Sequence, residues 1–136
     1  LSDLIDLADR YVAVWNEPDP DARSAAVAGL WAVGGRHVLQ PPQEVVRVAA
    51  ELGLSTTFEA QGHGELTERV RLAYEEFVAP GLYAFRRRDD VRRLRDLVKF
   101  TWEMVAADGA VAGVGTEVLV LDAEGRIVAD YQFIES

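Results

Sequence analysis

The chain has 136 residues, 49% of them hydrophobic and 27% charged, enough for one domain with its own core. Its net charge of −9 opposes the phosphate neutralisation on which binding to nucleic acid or to anionic membranes depends. With no cysteine there are no disulfides, thiolate nucleophiles or cysteine-based metal sites, and no apolar run approaches the roughly 18 residues of a membrane helix, so the default expectation is a soluble, cytoplasmic protein.

Residues 3–15 read as an amphipathic helix, with Leu4, Ile5, Ala8, Tyr11, Val12 and Trp15 in phase on one face and Pro18 stopping it. Asp19 caps a second helix with Pro20 at its first position, and Gly34-Gly35 is expected to end it. His37-Val38-Leu39-Gln40 is a short strand closed by Pro41-Pro42. A third helix is expected from Pro42 to Leu52, and Ser55 to Phe58 is a candidate edge strand. After Gly62-His63-Gly64 comes a fourth helix, with Leu66, Val70, Ala73, Tyr74 and Phe77 on one face and Pro80-Gly81 at its end.

Beyond Gly81 the apolar period changes from 3.6 to 2. Strands are expected over 82–88, over 94–104 with Leu94, Val98, Phe100, Trp102 and Met104 on one face, over 111–121 and over 127–134, with hairpin turns at Asp108-Gly109 and Asp122–Gly125. Helices followed by an antiparallel meander predict an α+β domain. The charge is uneven: residues 81–99 carry Arg86, Arg87, Arg88, Arg92, Arg93, Arg95 and Lys99 against three acids. That stretch lacks aromatic interleaving and a helix-turn-helix pattern, so it reads as a solvated strand face or a dimer rim.

Neither histidine, His37 or His63, sits in a metal-binding motif, and no phosphate-binding loop is present. The informative residues are polar ones that interrupt apolar patterns. Glu117 precedes Val118-Leu119-Val120-Leu121 on a central-looking strand. Facing inward, its carboxyl would be desolvated and held neutral as a proton donor; facing outward, it would pair with a basic neighbour. Asp96 interrupts its strand in the same way beside Arg93 and Arg95, and Asp130 and Gln132 share one face of the last strand. Tyr11 on the first helix needs a hydroxyl partner if covered. Gly113-Val114-Gly115, inside a strand pattern, marks a bend, a bulge or a close approach.

The order and spacing of Arg10–Asn16, His37–Pro41, Gly62–Leu66, Phe100–Met104, Gly115-Thr116-Glu117, Leu121–Ile127 and Tyr131-Gln132-Phe133 resemble the SnoaL-like branch of the nuclear transport factor 2-like superfamily over nearly the whole chain. The resemblance implies one domain over 1–136 with a helical insertion at about 43–58. It also implies a curved antiparallel sheet rolled into a cone against the N-terminal helices, with an apolar cavity and dimers formed through the sheet. Members include polyketide cyclases, ketosteroid isomerase and dehydratases as well as noncatalytic binding domains, so the fold alone does not choose an activity.

Tyr11 resembles the isomerase's oxyanion-binding tyrosine, and Glu117 falls at the position of its protonated acid. Where the isomerase has an acidic base before a proline, this chain has Gln40-Pro41, which leaves Asp96 or His37 as substitute bases. The expected protein is a cofactor- and metal-independent cyclase, isomerase or dehydratase for a hydrophobic carbonyl or enol compound, or else a noncatalytic binding or dimeric accessory domain. The expected catalytic residues are Glu117, Tyr11, Asp96 and His37. The cavity is expected to be lined by Trp15, Gln40, Phe77, Trp102 and Tyr131. The expected partners are a hydrophobic small molecule and a second copy of the chain, with no nucleic acid and no membrane.

Overall fold

The computed structural model describes residues 2–40, 43–53 and 58–135. Helix α1 (Ser2–Asn16) buries Leu7, Ala8, Tyr11, Val12 and Val14. Asp19 accepts a hydrogen bond from the backbone N–H of Asp21 at 3.3 Å and caps α2 (Pro20–Leu30). Strand β1 follows at once, over Trp31–Gln40, so the glycine pair does not end a helix. Gly34 takes φ 77°, and a Cβ on Gly35 would meet the carbonyl oxygen of Ile127 at 2.7 Å. The two glycines therefore form an irregularity within β1, between Trp31 and Arg36, that lets the chain press against its neighbour strand.

Helix α3 (Gln43–Glu51) lies in the expected insertion. The described part of the expected edge strand is β2 (Phe58–Gln61); Ser55, Thr56 and Thr57 fall outside the described residues, as do Pro41 and Pro42. Helix α4 (Gly62–Ala73) continues into one wider π turn at Tyr74–Val78, which carries Phe77. Strands β3 (Tyr83–Arg87), β4 (Arg92–Leu94), β5 (Leu97–Ala106), β6 (Val111–Leu121) and β7 (Ile127–Ile134) complete the domain. No helix among the described residues is long and apolar enough to cross a membrane.

The sheet corrects the expected architecture. Its strand order is β2-β1-β7-β6-β5-β3, with β4 paired to β5, and it is mixed: β1 runs parallel to β7 while the other pairs are antiparallel. It is also open, ending at β2 on one side and β3 on the other, so the all-antiparallel cone does not form. The physical reason is connectivity. Hairpin turns force antiparallel pairing only between consecutive strands, whereas β1 and β7 meet across most of the chain. The α+β class stands: α1, α2 and α4 pack against one another and against the sheet.

A second correction concerns 94–104, which is not one strand. Leu94 pairs with Leu97 across a two-residue turn, with Arg95 at φ 54°. A non-glycine residue in the left-handed region leaves no glycine or asparagine signal in the sequence.

The core is centred on Tyr11, Trp31, Phe100, Leu66, Leu119 and Ile127, each nearly or fully buried and each contributing on the order of 2 kcal/mol of transfer free energy. Gly115 stands opposite Trp102, and a Cβ there would fall within the indole, so the close approach anticipated at this glycine is made by the chain's own cross-strand neighbour. Asn16 fixes the edge strand β3. Its amide donates to the carbonyl of Phe85 at 2.7 Å and its carbonyl accepts the Phe85 N–H at 2.9 Å. In the basic stretch, Arg86 and Arg88 donate to Glu103 at 2.6 and 2.8 Å, and Arg87 donates to Asp9 at 2.6 Å. Those arginines form an ion-paired rim.

Candidate functional site

The inner face of the sheet is set by two rows of side chains. Parallel pairing puts His37 of β1 beside Asp130 of β7, and antiparallel pairing puts Asp130 opposite Leu119 of β6. In the next row Leu39 lies beside Gln132, Gln132 opposite Glu117, and Glu117 opposite Phe100 of β5. Glu117 and Asp130 are therefore diagonal neighbours on one face, and both are fully buried. Helix α1 lays Tyr11 over them, where its hydroxyl donates to Asp130 Oδ2 at 2.6 Å. The indole Nε1 of Trp102 donates to Glu117 Oε1 at 2.8 Å.

Arg69 of α4 reaches in from the other side. It donates to His37 Nδ1 at 2.9 Å and to the His37 carbonyl at 3.1 Å. A guanidinium has no acceptor, so Nδ1 must be the unprotonated nitrogen and Nε2–H must donate to Gln132 Oε1 at 2.9 Å. Burial lowers the proton affinity of His37, against the opposing pull of Asp130. It is thus a neutral imidazole with both nitrogens engaged, which orients Gln132.

Burial is also the largest influence on Glu117, and the nearby Asp130 adds to it, raising the acid well above the usual carboxylic range; the donors Trp102 and Tyr11 act in the opposite direction. The Tyr11 phenol is likewise raised, first by burial and then by Asp130 and Glu117. Burial therefore favours the neutral form of both the Glu117 acid and the Tyr11 phenol.

Above them lies a cavity of about 360 Å³. Of the residues expected at the site, Tyr11, Trp15, His37, Phe77, Trp102 and Glu117 line it. Arg69, Phe85 and Met104, which sequence reasoning did not place there, also border it, as does Gln132, which the sequence left facing either a pocket or a subunit partner. Asp96, Gln40 and Tyr131 do not. Asp96 is exposed in the β4–β5 turn, where its carbonyl accepts the N–H of Leu121 at 2.8 Å. Gln40 and Tyr131 alternate with the inward-facing Leu39, Asp130 and Gln132 and so belong to the opposite face of the sheet. Asp130 lies beneath Tyr11; its signal in the sequence was an acid sharing a strand face with Gln132.

His37, Glu117 and Asp130 offer one ligand atom each within 4.8 Å of one another, a spacing open to a metal ion. The donor set does not suit one. Coordination through Nε2 would move the histidine proton onto Nδ1, against the Arg69 N–H, and would add a second cation beside that guanidinium.

Neither a protein-family model nor a curated protein sequence matches the chain. Solved structures do. A protein of the SnoaL-like family from Agrobacterium tumefaciens, named for a proposed isomerase activity, is 25% identical with a TM-score of 0.79 over 100% of both chains. A SnoaL-like protein of unknown function from Burkholderia thailandensis is 18% identical, with a TM-score of 0.65 over 98% of this chain and 94% of its own. A Sinorhizobium meliloti protein named for a proposed polyketide cyclase activity is 14% identical, with a TM-score of 0.61 over 93% of each. The fold resembles the SnoaL-like, nuclear transport factor 2-like superfamily. At 18% and 14% identity the last two likenesses speak for the fold alone.

The raised proton affinity of Glu117 carries a stability signature. Above about pH 4.5 the unfolded chain loses this proton while the folded chain keeps it, so folding weakens as pH rises until the folded acid ionises too. Denaturant unfolding from about pH 5 to 8 is expected to show wild-type stability falling relative to Glu117→Gln, by up to about 1.4 kcal/mol per pH unit. Because His37 is common to both proteins, its opposite contribution cancels. Parallel curves for the two would contradict a neutral, buried Glu117.

Proposed function

We propose that the chain binds a neutral, mostly apolar small molecule through a carbonyl or enol oxygen, and that Glu117 stabilises charge developing on that oxygen in a cofactor-independent isomerisation, cyclisation or dehydration, while Tyr11 spends its one O–H on Asp130 and holds the floor in place. The observation that carries this reading is a fully buried carboxylic acid, its proton affinity raised by that burial, bordering a cavity that is otherwise mainly aromatic and aliphatic. The cavity's volume falls within the ordinary range for small-molecule sites, and the pattern of many apolar walls with a few convergent polar groups is the usual one. Among apolar walls an acid proton is a strong donor to an oxygen that gains charge. The indole Nε1 of Trp15, also at the cavity wall, is buried without a partner among the described groups and supplies a further donor.

The isomerase route through an acid at position 40 is not part of this proposal, since Gln40 is an amide outside the cavity. His37 is a positioning group, because neither of its nitrogens is free to take a proton. That shortage of a free base favours the second reading, a binding domain without turnover. Its distinguishing property is that the α-hydrogens of a bound ketone do not exchange with solvent deuterium.

The test is a titration of apolar ketones and enones followed by the fluorescence of Trp15 and Trp102. The expected result is saturable binding that Glu117→Leu, which removes the donor, weakens about tenfold, the loss of one good hydrogen bond. Equal affinity in the variant, or equal affinity for hydrocarbon analogues lacking the oxygen, would overturn the assigned role.

We also propose that the chain forms a homodimer through the outer face of the sheet. Val38, Tyr131 and Val118 lie side by side across β1, β7 and β6, with Phe133 in the next row; Tyr131 and Phe133 are 39% and 43% exposed. A contiguous apolar face of this kind suits a two-fold contact. Sedimentation at micromolar concentration is expected to give a dimer that Tyr131→Glu dissociates, and a monomeric wild type would contradict it.

A further inference from the structure

Glu117 and Asp130 each leave one carboxyl oxygen unsatisfied. Glu117 Oε1 is taken by Trp102 and Asp130 Oδ2 by Tyr11, but Glu117 Oε2 and Asp130 Oδ1 are buried without a partner among the described groups. Two orphaned acceptors on diagonal neighbours of one sheet face are costly apart, because neither reaches water. A single proton held between the two carboxyls removes the cost of both at once: the protonated group becomes a donor and the other its acceptor. It also prevents two like charges from facing each other in a low-dielectric core.

We propose that Glu117 and Asp130 form a dyad that holds one acid proton in common, with Glu117 carrying it against Asp130 when no ligand is bound. The surrounding groups suit such a unit. Tyr11 from α1 donates to Asp130 and also faces Glu117, and Trp102 from β5 donates to Glu117. His37 from β1 is neutral, with Nε2 3.9 Å from Asp130 Oδ2, and Arg69 from α4 supplies one positive charge behind it. With one negative charge on the dyad and one positive charge on Arg69, the site as a whole is neutral.

The catalytic use of the dyad rests on the small-molecule reading above, while its existence does not. A proton given by Glu117 to a ligand's oxygen would leave two buried carboxylates side by side, so it must be replaced in the same event by a proton coming from the ligand. One proton leaves the pair, one returns, and the pair's charge is unchanged. The site therefore suits a neutral, enolisable ligand that exchanges a proton with it, in preference to one that takes a proton up and keeps it.

The test is carboxyl-carbon NMR of the protein labelled at the side-chain carboxyls of Glu and Asp, titrated with pH and with no ligand present. Glu117→Gln and Asp130→Asn identify the two signals. In the unaltered protein the Glu117 carboxyl is expected to be still protonated at pH 7, and the Asp130 signal is expected to move at the same midpoint as Glu117. Asp130→Asn is expected to lower the Glu117 midpoint by more than about one pH unit, the mark of two interacting sites. An unchanged Glu117 midpoint in Asp130→Asn, or an Asp130 signal that does not move at that midpoint, would overturn the dyad. If Asp130→Asn does not fold, the common midpoint in the unaltered protein decides alone. A confirmed dyad in a protein that binds no ketone would refute the ligand reading and leave the dyad standing.

Discussion

Two carboxyl groups on neighbouring strands, neither with any exposed surface, repel each other strongly if both are charged. Their common environment has to supply donors, neutralise one of them, or do both, and the rest of this domain is arranged around that requirement. Tyr11 comes from the first helix, Trp102 from β5, His37 from β1 and Arg69 from α4, so four separated pieces of the chain converge on two acids. Polar groups buried at such density add little net stability and are costly when left incomplete. Their position at the floor of an apolar hollow is what makes a chemical role the economical explanation for them.

The arrangement also separates two functions that the same residue types serve elsewhere. His37 and Gln132 are held in one orientation by a chain of donors that starts at Arg69, and this fixes the floor of the cavity without offering a base. Glu117 is the group that both borders the cavity and holds a transferable proton. The walls, from Phe77 and Phe85 to Met104, are apolar and so strengthen the electrostatic interactions on the floor. Edge-to-face contacts of Phe85 with Phe77 and Trp102, at 6.5 and 5.6 Å between ring centres, tie the wall to the indole that donates to Glu117. Asn16 holds Phe85 in place through its backbone N–H and carbonyl.

Local patterns in the sequence led to much of this. The period-2 runs at 111–121 and 127–134 correspond residue for residue to β6 and β7, because hairpin strands advertise their faces and turns. Glu117 stood out as an acid in an apolar run, and the structure puts it on the inner face. The parts that were not legible depend on distant pairing. Whether β1 joins β7, and in which direction, is decided by packing across most of the chain, and only that pairing brings His37 to Asp130. Asp96 looked like an acid within a strand because Arg95 turns the chain without a glycine to announce it. Tyr131 and Gln40 needed the register of the sheet: once Asp130 and Gln132 face inward, Tyr131 must face out. Arg69 gave no signal, since one arginine on a polar-rich helix is ordinary until its neighbours are known.

The central claim is that a buried acid proton sits on the floor of an apolar hollow at neutral pH. Neutron diffraction from crystals of the deuterium-exchanged protein at neutral pD would locate it directly. The account predicts nuclear density for one deuteron on the Glu117 carboxyl, on the side of Asp130, with Nε2 of His37 deuterated and Nδ1 bare. Two bare carboxylates, or a doubly deuterated His37 beside Asp130, would contradict it.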